Sequence, residues 1–274
     1  MHPILFEIGG FPVYTYGLLL AAAYLLGLQF ALMRAKTRGL DQTRVMDLGI
    51  WIIVSALVGA KLMLVVVERD KFGWTPTDLF NLFRSAGVFY GGLISAVVVA
   101  LWYLWRHRMP VWTTTDVFAP GIALGHVIGR FGCLLAGCCF GRQTDVPWAI
   151  TFHSEFANRN VGTPLNMPLH PTQLYEAGAE LLILGLLLAT EKKGQPYPGR
   201  TFWSYMLLYG VSRFIIEFYR GDSRGLINVF GNLLSTSQFV SLLIVPLSII
   251  MLVFLGRRTS PAPVDAATRK ARAA

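Results

Sequence analysis

The sequence is short of charge. Asp, Glu, Lys and Arg make up 14% of its 274 residues, against about 25% in an ordinary soluble domain. That deficit argues against a soluble enzyme. Cysteine is scarce as well, with three in the whole chain, which excludes a disulfide-stapled scaffold. Hydrophobic and aromatic side chains are not lacking, at 54% and 13%, so intrinsic disorder is excluded too. The stretch before Val13 has neither a basic n-region nor an A-x-A site, so no cleaved leader is expected and the first apolar run should stay in the membrane. No internal repeat is visible.

What the chain has in quantity is apolar runs of bilayer length. A spanning helix takes about 20 mostly apolar residues. Seven stretches qualify: Val13–Met33, Val45–Val67, Gly87–Trp105, Val117–Leu135, Thr172–Thr190, Thr201–Phe218 and Ser237–Leu255. Lipid offers no partner for backbone polar groups, so runs of this length are helical. The expected fold is an all-α membrane protein with seven transmembrane helices in one domain, residues 1–258. A small folded cap is expected over about 136–171, and a disordered tail over 259–274.

Basic residues set the orientation. Arg34, Lys36, Arg38, Arg44, Arg106, Arg108, Lys192, Lys193, Arg200, Arg257, Arg258, Arg269, Lys270 and Arg272 fall on one side. Half as many fall on the other: Arg69, Lys71, Arg84, Arg142, Arg159, Arg220 and Arg224. The richer side faces the cytoplasm, so the N-terminus and the cap are expected in the periplasm and the C-terminus in the cytoplasm. The net charge of +9 is then explained by loops beside anionic lipid, and no nucleic-acid partner is expected.

Ionisable groups inside a span are costly, and each is a functional candidate. Lys61, His126, Arg130, Glu176, Glu180, Arg213 and Glu217 are such groups. Several come in pairs four apart, which places both members on one helical face. Arg213 and Glu217 form one pair, open to reading as an internal salt bridge or as a phosphate site, with Arg220 further along the same stripe. His126 and Arg130 form another; a histidine there is either a general base or a hydrogen-bonded interhelical contact. Glu176 and Glu180 are the third. Glycines gather nearby (Gly91, Gly92, Gly125, Gly129, Gly132, Gly137, Gly141), suiting close helix packing or close ligand approach. Cys133, Cys138 and Cys139 lie within seven residues. A zinc site usually takes four ligands at recognised spacings, and three cysteines with a distant histidine fit one poorly; a disulfide is open on an oxidising side, and apolar packing is the default for all three.

Several stretches, in order along the chain, resemble the prolipoprotein diacylglyceryl transferase family. They are Tyr16-Gly17-Leu18, Gly59-Ala60-Lys61, Phe89-Tyr90-Gly91-Gly92-Leu93-Ile94, Gly129-Arg130-Phe131-Gly132 through Gly141-Arg142, His170-Pro171-Thr172-Gln173-Leu174-Tyr175-Glu176, and Tyr209-Gly210 with Arg213 and Glu217-Phe218-Tyr219-Arg220. The resemblance implies an enzyme of the bacterial inner membrane. It would move diacylglycerol from phosphatidylglycerol to the lipobox cysteine thiol of a preprolipoprotein, releasing glycerol phosphate and forming a thioether. No cofactor or metal is implied, because the phospholipid is itself the activated donor.

By the same resemblance Arg130 and Arg213 contact the phosphate, Glu217 orients Arg213, and Tyr16, Tyr209 and His170 shape the site. Lys61, Gly91, Gly92, Arg142, Arg220 and Glu176 complete the substrate-binding set. The chain departs from the family pattern at Tyr90, where a histidine is usual, at Cys133 and Ala136, where asparagines are usual, at Cys138 for a glutamate and at Lys61 for an arginine. His126 is the candidate to supply the missing imidazole, and Tyr90 a candidate hydrogen-bond donor. Two other classes fit the departures: a phospholipid-dependent transferase with another acceptor, and a non-catalytic phospholipid binder. A transporter is a weaker fit, because the halves do not repeat.

Overall fold

Among the described residues, seven long helices follow the apolar runs. The structure, a computed structural model, describes residues 2–69, 75, 77, 87–192, 194–222, 225–229 and 232–259. Lys71, Arg84, Lys193, Arg224 and the tail basics Arg269, Lys270 and Arg272 lie outside the described residues. The long helices are α1 (Thr15–Thr37), α2 (Gln42–Val67), α3 (Phe89–Arg106), α4 (Val111–Ala136), α6 (Thr172–Lys192), α7 (Arg200–Ile216) and α8 (Thr236–Thr259). Six are long and apolar enough to cross a membrane, α7 being the exception. α7 has 17 residues, but a 3-10 turn, Glu217–Tyr219, continues it without a break. α4 begins six residues before its expected start at Val117 and carries Pro120 inside it.

The polar punctuation is local. Asp41 caps α2 by accepting a 2.9 Å hydrogen bond from the Thr43 amide, satisfying a donor that the first turn leaves open. The sequence reading missed two hairpins. β1 (Ile4–Ile8) pairs antiparallel with β2 (Phe11–Tyr14) ahead of α1, and β5 (Leu226–Val229) pairs with β6 (Asn232–Ser235) ahead of α8. Val13, expected to open the first span, belongs to β2.

The described chain divides into two compact units, residues 1–27 with 118–274, and residues 28–117. In the smaller unit α2 packs on α3 through glycine. A Cβ built on Gly91 would stand 2.5 Å from the Gly59 carbonyl oxygen, and one on Gly92 would stand 2.9 Å from that of Ala56. In the larger unit the first half of α1 meets α4 the same way. A Cβ on Gly121 would stand 2.5 Å from the Gly27 carbonyl oxygen, and one on Gly125 would stand 3.3 Å from that of Ala23. The glycine stripe expected on α4 is thus only partly a packing seam, because Gly129 has open space where its Cβ would be.

The segment between α4 and α6 has short elements of its own. It holds the short helix α5 (Glu155–Val161), capped by Ser154 and closed by Gly162 at φ 70°, and a two-residue ladder of β3 (Ile150–Thr151) with β4 (Pro168–Leu169). Phe140, Phe152 and Leu169 form its buried core. Four backbone hydrogen bonds knit this segment to the ends of α6 and α7: Gly141 N to His170 O at 3.1 Å, His170 N to Arg142 O at 2.9 Å, Arg142 N to Tyr219 O at 2.8 Å and Gly221 N to Phe140 O at 3.1 Å.

Candidate active site

The intramembrane charges of the larger unit converge. α4 and α6 run antiparallel where they meet, so the pair His126 and Arg130 faces the pair Glu180 and Glu176 in matching register. Arg130 Nη2 lies 2.6 Å from Glu176 Oε2, and His126 Nδ1 lies 2.7 Å from Glu180 Oε1. Four-residue spacing on both helices makes the two pairs rungs of one ladder.

Glu176 is the hub. Its Oε1 accepts from Arg213 Nη1 at 2.9 Å and from Arg220 Nη1 at 2.7 Å, while Oε2 holds Arg130. Three guanidiniums from three segments therefore share one carboxylate that is 5% exposed. Their charge is balanced by two further acids. Glu217 lies 2.7 Å from Arg213 Nη2, and Asp222 takes a two-pronged contact from Arg220 at 2.9 and 2.7 Å. Burial alone would lower the affinity of Arg220 for its proton. The hydrogen bonds to Asp222, with Cys139 and Glu176 close by, outweigh it and raise the guanidinium above its ordinary range.

The three arginines are not equally engaged. Arg213 contacts Glu176, Glu217 and the Ser237 hydroxyl. Arg220 is filled by Glu176 and Asp222 and is almost fully buried. Arg130 has one acid, Glu176, and its side chain is 16% exposed. Its fork keeps donors for a ligand.

The imidazole stands one turn along α4 from that fork. With Nδ1–H donating to Glu180, the network puts the lone pair on Nε2. The Tyr205 hydroxyl closes over Nδ1 at 3.1 Å, and the Tyr209 ring lies 5.5 Å from the imidazole. The histidine side chain is 38% exposed and the glutamate 4%, so the imidazole is reachable and its partner is not. The second Glu180 oxygen, Oε2, is buried with no donor among the described residues. Sequence reasoning named Glu180 only as half of a carboxylate pair and missed Tyr205. The i,i+4 match between the two helices was the signal that would have found the pairing.

The remaining expected residues sit as follows. Tyr16 is on α1 near Gly132. His170 bonds the Tyr175 hydroxyl through Nδ1 at 3.1 Å and meets the Tyr219 ring edge-on. Arg142 is exposed and donates from Nε to the Arg220 carbonyl at 3.0 Å. In the smaller unit, Gly91 and Gly92 are buried against α2 and serve the helix contact, Tyr90 is half-exposed against the Phe89 ring, and Lys61 is half-buried on α2.

The site of this multi-pass membrane protein thus holds an imidazole–carboxylate pair across two helices, with a guanidinium one turn from the imidazole on α4. Comparison with known sequences gives the family. The prolipoprotein diacylglyceryl transferase model matches residues 3–254. A phosphatidylglycerol–prolipoprotein diacylglyceryl transferase of Clostridium tetani is 36% identical over 243 residues, covering 88% of this chain and 93% of that protein. A second protein of that name, from Clostridium perfringens, is 33% identical, with 89% and 91% covered, and one from Finegoldia magna is 30% identical, with 92% and 94% covered. The chain belongs to the prolipoprotein diacylglyceryl transferase family.

Proposed function

We propose that the protein transfers diacylglyceryl from phosphatidylglycerol to the lipobox cysteine thiol of preprolipoproteins, in the bacterial inner membrane, with its site toward the periplasm. The observation that carries the reading is the ladder of His126–Glu180 and Arg130–Glu176, which sets a proton acceptor one helical turn from a guanidinium with donors to spare. A thiol with an ordinary pKa of about 8.5 must lose its proton to attack a glyceryl carbon. His126 Nε2 takes that proton, and Glu180 stabilises the imidazolium. Arg130 meets the phosphate as charge gathers on the leaving oxygen. Arg213, itself held by Glu217, and Arg220 hold Glu176, and through it Arg130, in place. Tyr16, Tyr209 and His170 border the same region, and Arg142 stands at its outer edge.

Family membership and the excess of basic residues in the loops assigned to the cytoplasm support the orientation, with the N-terminus outside and the C-terminus inside. The test is turnover by the purified full chain. With phosphatidylglycerol and a lipobox peptide, glycerol phosphate is released and the peptide gains the mass of a diacylglyceryl group. Release without peptide gain turns the reading to another acceptor, which the tyrosine at position 90 favours. Lipid retention without release overturns the enzymatic reading.

A further inference from the structure

The three cysteines form a cluster that the reaction above leaves unused. Their sulfurs all lie within 4.8 Å of one another, and no disulfide joins any of them. Cys133 comes from the last turn of α4, while Cys138 and Cys139 come from the bend just after it. That bend is built rather than slack. Gly137 has φ 83° and Cys139 φ 62°, the latter a left-handed value that a cysteine adopts at a cost. Three consecutive carbonyls are each held by a fully buried side chain. Gly137 O accepts from the Thr163 hydroxyl at 2.8 Å, Cys138 O from the Gln173 amide at 2.7 Å and Cys139 O from the Thr172 hydroxyl at 2.7 Å. A strained backbone over-determined in this way fixes where its two sulfurs stand. Beside them Gln173 also carries a buried amide oxygen with no donor among the described residues.

Four sulfurs around zinc sit about 2.3 Å from the ion and hence about 3.8 Å from one another. The three thiols here need to close by at most about 1 Å to meet that geometry. Three protein ligands with a fourth position open is the pattern of a working zinc site, not a closed structural one. The cluster therefore has the ligand softness and the spacing that a thiophilic ion requires.

We infer that Cys133, Cys138 and Cys139 bind one zinc ion and present its open position to the acceptor thiol. This rests on the transferase reading for the identity of the acceptor, and on the cluster alone for the metal. A thiol bound to zinc would be deprotonated outright, its proton passing to the surrounding water. The sulfur, as thiolate, attacks the glyceryl carbon that bears the phosphodiester. A carbon–sulfur bond forms and the carbon–oxygen bond breaks, its electron pair leaving on glycerol phosphate. The thiolate's charge and the phosphodiester's charge depart together on that dianion, and nothing is oxidised or reduced. The neutral thioether is a weaker ligand than the thiolate, so product leaves the ion.

The full chain, purified under argon in detergent, tests this by elemental analysis, cobalt exchange and the transfer assay on one sample. Expected are one zinc per chain, its loss in Cys133→Ala and in Cys138→Ala, and a cobalt form with thiolate-to-metal and tetrahedral bands. A lipobox peptide with its cysteine should shift those bands, and the serine version of the peptide should not. Should either variant fail to fold, the band intensities of the unmutated cobalt form count the thiolates directly. Absence of metal, copper in place of zinc, metal retained by both variants, or an argon-purified protein carrying a disulfide each overturns the site. Full transfer by metal-stripped protein overturns the role of zinc and leaves the transferase reading intact. One zinc with a peptide-dependent band shift but no transfer upholds the thiol-binding site and sinks the transferase reading instead.

Discussion

His126 Nδ1 lies 2.7 Å from Glu180 Oε1, across the contact between α4 and α6. That contact fixes which imidazole nitrogen is left to take a proton. His126→Ala should lower kcat by about 10²–10⁴-fold, the usual worth of a positioned base. Glu180→Gln keeps the hydrogen bond but not the charge. It should lower kcat by less and leave KM for phosphatidylglycerol unchanged, because the lipid is held elsewhere. Steady-state kinetics on both variants check this. Full activity in His126→Ala would remove the imidazole from the mechanism.

Glu176 does a different job. It sits among three guanidiniums, so Glu176→Gln leaves buried positive charge without its counter-ion. Breaking a buried pair from one side costs about 3–5 kcal/mol, and the variant should show a correspondingly lower Tm in detergent. Arg130→Lys should act on rate instead, since a lysine lacks the planar fork. Loss of one transition-state donor predicts a fall of about 10²–10³-fold in kcat with Tm nearly unchanged. Equal thermal loss in the two variants would contradict the separation between hub and ligand-facing fork.

The helices were legible in the sequence because bilayer length and apolar content are local properties. The pairs at 126/130, 176/180 and 213/217 were legible as helix faces for the same reason. Which face meets which was not, since it depends on the antiparallel register of α4 and α6, and neither helix carries that alone. Arg220 was seen as a possible phosphate contact; the structure surrounds it with Asp222 and Glu176. The hairpins escaped because Ile4–Ile8 and Phe11–Tyr14 run into apolar sequence that reads as the start of a helix. The three cysteines were legible as neighbours in sequence, but how close their sulfurs come was not, because the bend is held by Thr163, Thr172 and Gln173, distant in sequence and unremarkable in type.

Packing of α1 on α4 yields a paired prediction. A methyl at Gly121 would press on the Gly27 carbonyl oxygen at 2.5 Å, and a backbone oxygen cannot swing away. Gly121→Ala should therefore cost about 1–3 kcal/mol, as overpacking does. Gly129 lies two turns further on with nothing within 4 Å of its would-be Cβ. Gly129→Ala should hold its stability or gain up to about 1 kcal/mol from better helix propensity. Thermal melts of the two variants in the same detergent decide it, and similar losses at both positions would contradict the assigned seam.

Gly141 sits where three segments are stitched together. A Cβ there would stand 2.9 Å from the Tyr219 carbonyl oxygen and closer still to that of His170. Both oxygens are engaged, one by the Arg142 amide and one by Gly141's own, so neither yields without breaking a backbone hydrogen bond. Gly141→Ala should pry the loop bearing Cys138, Cys139 and Arg142 away from Arg220. A displacement of about 1 Å at residues that hold a reacting group costs on the order of 10²-fold in rate, and activity should fall by about that much. Because the disturbance is centred on the loop, Cys138 and Cys139 should also become more reactive toward a maleimide. Labelling each thiol by mass spectrometry reads this out, and unchanged labelling alongside lost activity would place the effect elsewhere than in the loop.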